Sequence, residues 1–168
     1  MKRAAAIAGL FILFFVLIPA GSGSPVQTDE KDAPETLIKS ARFLEQKPLD
    51  KDAKKVRSWA IEWLIVTDKV TVTACSLLLS VDKHYKYSSE LFGQYTIAMG
   101  AYKLANPDKA HDEDATQEAG VESALIAYEA ILIAQPKAKN DFMDDLLAKR
   151  SQGELAAYVK ANNCKDKK

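Results

Sequence analysis

Glycine is almost absent from the body of this chain, and that absence restricts its fold more than any motif does. Beyond residue 25 only Gly93, Gly100, Gly120 and Gly153 occur in a protein of 168 residues. A β-sandwich of this size needs turn signals every 8 to 12 residues or so, and they are missing. The prolines Pro34, Pro48, Pro107 and Pro136 instead stand at intervals suited to helix boundaries. Composition agrees with a packed domain, at 48% hydrophobic and 27% charged residues. We therefore expect an all-α chain, a helical bundle or helical-hairpin stack of five to seven helices.

The pattern predicts where those helices lie. The first starts at Asp32, whose side chain would cap while Glu35 reaches back, with Pro34 in the first turn and Leu37, Ala41 and Leu44 as its apolar stripe. It ends at Lys47 and Pro48. A second begins near Asp50 and carries Val56, Trp59, Trp63, Val66 and Val70 at helical spacing. The β-branched run 70–75 is read as its continuation, and Leu77 to Val81 either prolongs it or begins another helix. A third follows the turn-like residues 84–88, ends at Asn106 and presents Leu91, Phe92, Tyr95, Met99 and Tyr102 on one face. The fourth runs from about Asp112 to Gln135. Between residues 121 and 134 only Glu122 and Glu129 are charged, so this helix should sit centrally. Two shorter helices, near 140–150 and 151–163, complete the fold, the last opening on Ser151 and Glu154 as a capping box.

The N-terminus is of a different kind. Lys2 and Arg3 precede an apolar run over residues 4–18, and Pro19 then leads into small residues up to Ser24. This is the layout of a secretory signal peptide over 1–24. The run is short for a permanent span, which takes roughly 20 apolar residues. No cysteine precedes Cys75, so lipidation at an N-terminal cysteine is excluded. The expected organisation is a signal at 1–24, a flexible leader at 25–33, one helical domain at 34–164 and a basic tail at 165–168. The location is then exported, periplasmic or secreted, and membrane contact is confined to the signal segment if it stays uncleaved.

Removal of that segment alters the charge. The whole chain has 23 basic and 23 acidic residues; without Lys2 and Arg3 the balance is 21 against 23, a net charge of −2. Neither value has the basic excess of a general nucleic-acid binder.

Ala124, Tyr128 and Pro136 fall where the second helix of a tetratricopeptide repeat places its small residue, its aromatic and its closing proline. Over about 15 residues the segment resembles that helix. The resemblance implies a helical repeat as an alternative fold, whose first helix would bear a Trp-x-x-Leu-Gly-x-x-Tyr pattern near residues 108–115. The chain has Pro107 to Asp114 there, with no such pattern.

Catalytic signatures are missing: there is no Gly-x-Ser-x-Gly elbow, no His-Glu-x-x-His, no phosphate-cradling glycine loop and no Cys-x-x-Cys. No cofactor is expected. The carboxylates remain candidates, because Glu62 and Glu129 each sit in an apolar context, and in a shared cleft they could form an acid/base pair. The same residues could equally mark solvent faces, as the near-stripe Glu118, Glu122 and Glu129 suggests. His111, Asp112 and Asp114 offer nitrogen and oxygen ligands to a hard cation, or else serve the start of a helix, where Asp114 and Gln117 would pair as a cap.

Trp59 and Trp63, one turn apart, could line an apolar pocket or belong to a core. Tyr85 and Tyr87 alternate with Lys83, His84 and Lys86, a cation–aromatic mix that suits a binding loop. Gly93 and Gly100 share a helix face, which implies the close approach of a neighbour or a ligand. Cys75 and Cys164 are the only cysteines, and a bridge between them would close a loop of about 90 residues, worth about 4 kcal/mol. These features point to a non-catalytic binding protein outside the cytoplasm with a protein or small-ligand partner. The alternatives are a small carboxylate hydrolase and a carrier of apolar ligands.

Overall fold

The computed structural model describes residues 30–75 and 80–164. The expected signal at 1–24, most of the leader and the basic tail lie outside them. Six α-helices and no strands occur among the described residues: α1 (Ala33–Gln46), α2 (Ala53–Val66), α3 (Ser88–Ala105), α4 (Glu113–Ala134), α5 (Asp141–Ser151) and α6 (Leu155–Asn162), with one 3-10 turn at Pro107–Lys109. The fold is an all-helical bundle, as the glycine and proline pattern indicated. Among the described residues no helix is long and apolar enough to cross a membrane.

Contacts between named residues fix the helix directions. Gly93 and Gly100 of α3 lie against Arg57 and Leu64 of α2, so these two helices run parallel. Gly100 also meets Leu37, and Gln94 Nε2 donates to the Ala41 carbonyl at 3.0 Å, which sets α1 antiparallel to α3. Lys103 pairs with Glu113 at 2.5 Å and Gln94 Nε2 reaches Ser123 Oγ at 2.7 Å, so α4 is also antiparallel to α3. The expected close approach at Gly93 and Gly100 is therefore made by a neighbouring helix, not by a ligand. At Gly120 of α4 the close neighbours include backbone, since an added Cβ would fall 2.9 Å from the Tyr95 carbonyl oxygen.

Because α2 and α3 point the same way, the chain must cross back between them. Residues 67–75 and 80–87, the described parts of that connection, contain no helix. The expected helical continuation through 70–75 is thus incorrect. The helix stops at Thr67, which is extended, and the β-branched residues that follow pack poorly against a preceding helical turn. Their backbone is satisfied from the side instead. Lys103 Nζ donates to Thr71 O at 3.1 Å, Gln117 Nε2 donates to Thr73 O at 2.7 Å, and the Cys75 N–H donates to Tyr95 Oη at 3.0 Å. Val70 is buried and Val72 half-buried while Thr71 and Thr73 are exposed, an extended alternation that breaks at exposed Ala74 and buried Cys75. Of the second expected segment, Leu77 falls outside the described residues, and Ser80 and Val81 are not helical.

Two expected capping boxes are also replaced. Asp32 stands at the N-cap of α1 without a side-chain cap, and Glu35 pairs with Lys39 at 2.7 Å. Ser151 belongs to the end of α5, its Oγ donating to Ala148 O at 2.7 Å. Gly153, at φ 74°, closes that helix while Glu154 N–H bonds to Lys149 O, a glycine C-terminus in place of a serine N-terminus.

The tetratricopeptide alternative also gives way. The residues where its first helix would stand form the 3-10 turn and the start of α4 itself.

The buried side chains fall into two clusters. The larger includes Leu91, Tyr95 and Met99 of α3 with Leu125, Tyr128 and Ile131 of α4, and it extends to Met143, Leu146, Leu155 and Val159 of α5 and α6. The smaller holds Leu37, Ala41 and Leu44 of α1, Ala53 and Ala60 of α2 and Ile97 of α3. As its sequence indicated, α4 is central, contacting α1, α3, α5 and α6. A Cys75–Cys164 disulfide, with Cα atoms 5.6 Å apart and a sequence separation of 89, joins the crossing segment to the end of α6.

Candidate functional site

The antiparallel hairpin of α1 and α2 leaves an open groove of about 1010 Å³ on its outer side. Ala53 and Ala60 of α2 face the core, and Val56 and Trp59 of α2 with Phe43 of α1, which pack against the same cluster, also line the groove. Thr36 and Ser40 line the same side. Lys51, Lys54 and Lys55 stand together at the closed end of the hairpin, and Asp52 and Glu62 complete the lining. None of the three lysines is in an ion pair among the described residues, and all three are exposed.

Trp59 and Trp63 stack with centroids 6.4 Å apart and an interplanar angle of 16°. Both pack partly on the smaller core cluster, and Trp59 also lines the groove. The α2 stripe read from the sequence thus serves core and cleft together. Beyond it, Ile65 and Val66 at the end of α2 are 76% and 79% exposed.

The two carboxylates singled out in the sequence are not brought together. Glu62 lies in the groove, whereas Glu129 on α4 accepts a 2.7 Å bond from Arg150 Nη2 of α5. The same guanidinium reaches Glu122 at 3.2 Å, so the acidic stripe of α4 is bridged to α5. The acids at the start of α4 have structural partners as well. Asp112 caps the helix by accepting from Ala115 N–H at 3.0 Å, and Asp114 accepts from Asn163 Nδ2 at 2.8 Å. The cap is therefore Asp112, not the expected Asp114–Gln117 pair, and His111 is exposed beside it. Among the described residues no group of three or more His, Cys, Asp or Glu side chains could hold a metal ion.

Tyr85 and Tyr87 do not present an exposed patch. Tyr87 is buried, Tyr85 is half-buried, and their rings meet edge to face at 5.8 Å. Tyr85 Oη donates to Ala138 O at 2.7 Å, while Lys83, His84 and Lys86 stay outside, Lys86 with Nζ 5.0 Å from the Tyr87 ring centre. Burial pushes the Tyr85 phenol up to about 12 and the Tyr95 phenol likewise to about 12. Tyr128 is raised further by the same cause. Its Oη donates to Asp144 at 2.8 Å and accepts the Asn140 N–H at 2.8 Å. Tyr95 Oη bonds Gln117 Oε1 as well as Cys75 N–H. These phenols act as neutral cross-links between segments.

Sequence reasoning missed Gln94, Ser123 and Glu45. Ser123 Oγ donates to Glu45 Oε1 at 2.6 Å and accepts from Gln94, joining α1, α3 and α4 in one chain of bonds. Two small polar residues within apolar helices were its only trace in the sequence. No family model matches this chain, and no curated protein or solved structure is significantly similar to it.

Proposed function

We propose that this is an exported, non-catalytic binding protein that holds a small ligand in the groove between α1 and α2. The groove itself carries the reading: an apolar floor of Phe43, Val56 and Trp59 flanked by polar and charged groups, an apolar surface with polar groups that can orient a small ligand. Its size supports the same class. Eleven residues line it, where a standard protein–protein interface takes roughly 20–30 a side. Of the functional classes open to the sequence, the apolar-ligand carrier gains most.

Chemistry within the groove is disfavoured by spacing. Asp52 and Glu62 are its only acids, and ten residues of helix separate them by about 15 Å along the axis. A hydrolytic carboxylate pair works at about 5–9.5 Å. Export accords with the disulfide, since such bonds persist in oxidising compartments.

The test is binding of the neutral dye N-phenyl-1-naphthylamine to the purified protein. One saturable site is expected, lost in Phe43→Asp with the helical circular dichroism retained. Absence of binding, or binding untouched by Phe43→Asp, refutes the assignment.

A further inference from the structure

Resting on the groove as a ligand site, we infer that its ligand is a single-chain amphiphile with an anionic head, of the fatty-carboxylate type. The groove is polarised along its length. Lys51, Lys54 and Lys55 occupy the end next to the α1–α2 turn together with one acid, Asp52, an excess of two positive charges, and Phe43, Val56 and Trp59 follow. Glu62, two to three turns further along α2, closes the opposite end. A head with negative charge is attracted at the first end and repelled at the second, so an amphiphile is held in one direction.

The lysines have no visible part in the fold. They form no ion pair among the described residues. Two of them stand in the first turn of α2, which contains no acid, where the helix dipole disfavours a cation. Their concentration beside the aromatic floor also runs against a mature chain that is slightly acidic overall. An anion seated among them balances the positive charge that Asp52 leaves over, while the chain behind it covers Trp59.

Tryptophan emission reads the site directly, because Trp59 and Trp63 are the chain's only tryptophans and both lie on α2. The full chain is titrated with sodium dodecanoate and with dodecyltrimethylammonium, each below its micelle concentration. We expect dodecanoate to bind at least tenfold more tightly, and Lys54→Glu with Lys55→Glu to abolish that preference. Equal or tighter binding of the cationic amphiphile overturns the inference, as does a double variant that still prefers dodecanoate. Tighter competition by an acidic amphipathic peptide of 14 residues overturns it in favour of a protein ligand. Binding of the neutral dye separates the two levels. If the dye binds and dodecanoate does not, the head-group assignment alone fails; if neither binds, the groove reading fails with it.

Discussion

The substitution Gly120→Ala tests the close packing of α4 on the backbone of α3. In isolation the change favours a helix by about 1 kcal/mol. Here the new methyl would stand 2.6 Å from Tyr95 Cδ2, 2.8 Å from Met99 Cγ and 2.9 Å from the Tyr95 carbonyl oxygen. Carbon atoms pack at about 3.5–4.0 Å, and the carbonyl belongs to a helix that cannot give way alone. Either α3 and α4 separate or Tyr95 leaves its place. Overpacking costs about 1–3 kcal/mol, so the net loss is about 0–2 kcal/mol after the gain in helix propensity. It rises by about 2 kcal/mol more if the Tyr95 hydroxyl also loses Cys75 and Gln117, at about 1 kcal/mol per bond. Gly93→Ala is the matched control. Its methyl has the Arg57 side chain as its nearest neighbour, at Cδ 2.9 Å, an arm that bonds Pro48 O through Nη2 but can shift without moving a helix. That variant should match the wild type or exceed it by up to about 1 kcal/mol. Urea unfolding followed at 222 nm, with the disulfide intact, gives both values. A Gly120→Ala protein as stable as Gly93→Ala would refute the packing argument.

Three further outcomes follow from the same geometry. Replacing Cys75 and Cys164 by serine should cost about 4–5 kcal/mol in the chain-entropy model for a loop of this length, and denatured, unreduced wild type should show no free thiol in a colorimetric count. Tyr128→Phe leaves the Asn140 N–H and Asp144 without their shared partner, and should lower stability by about 1–3 kcal/mol in the same urea assay. The buried phenols make the fold sensitive to alkali: Tyr85 and Tyr95 are raised to about 12, so the stability they confer is complete below the ordinary phenol value near 10 and is lost between about pH 10 and 12. Absorbance at 295 nm should show these tyrosines ionising together with loss of helix; ionisation near pH 10 with the fold intact would contradict their burial.

Helix positions were legible where the signal was local. Proline at the ends of α1 and α3, and the uncharged length of α4, were sufficient. The run 70–75 was not legible in this way, because its state is settled by Lys103, Tyr95 and Gln117, which lie 20 or more residues away along the chain. Ser151 to Glu154 shows a different ambiguity. A capping-box spelling and a glycine-terminated helix can share the same four residues, and the turn at Gly153 decided between them. Glu129 read as an isolated carboxylate because nothing local announces Arg150 on the next helix. The groove was half visible: Trp59 was marked as a pocket residue, but the lysine end needed α1 and α2 to be folded against each other.

The Cys75–Cys164 bond divides the molecule topologically. Residues 75–164 form a covalent ring that contains α3 to α6, and the α1–α2 hairpin hangs from it as a pendant arm. The entropy removed by a cross-link belongs to the chain inside the ring. The arm receives none of it and is retained by its own packing, chiefly Leu37, Ala41, Leu44 and Ala60 against Ile97. Detachment of the arm therefore leaves the ring closed, and the groove sits on the one part of the fold that can unfasten without breaking that frame.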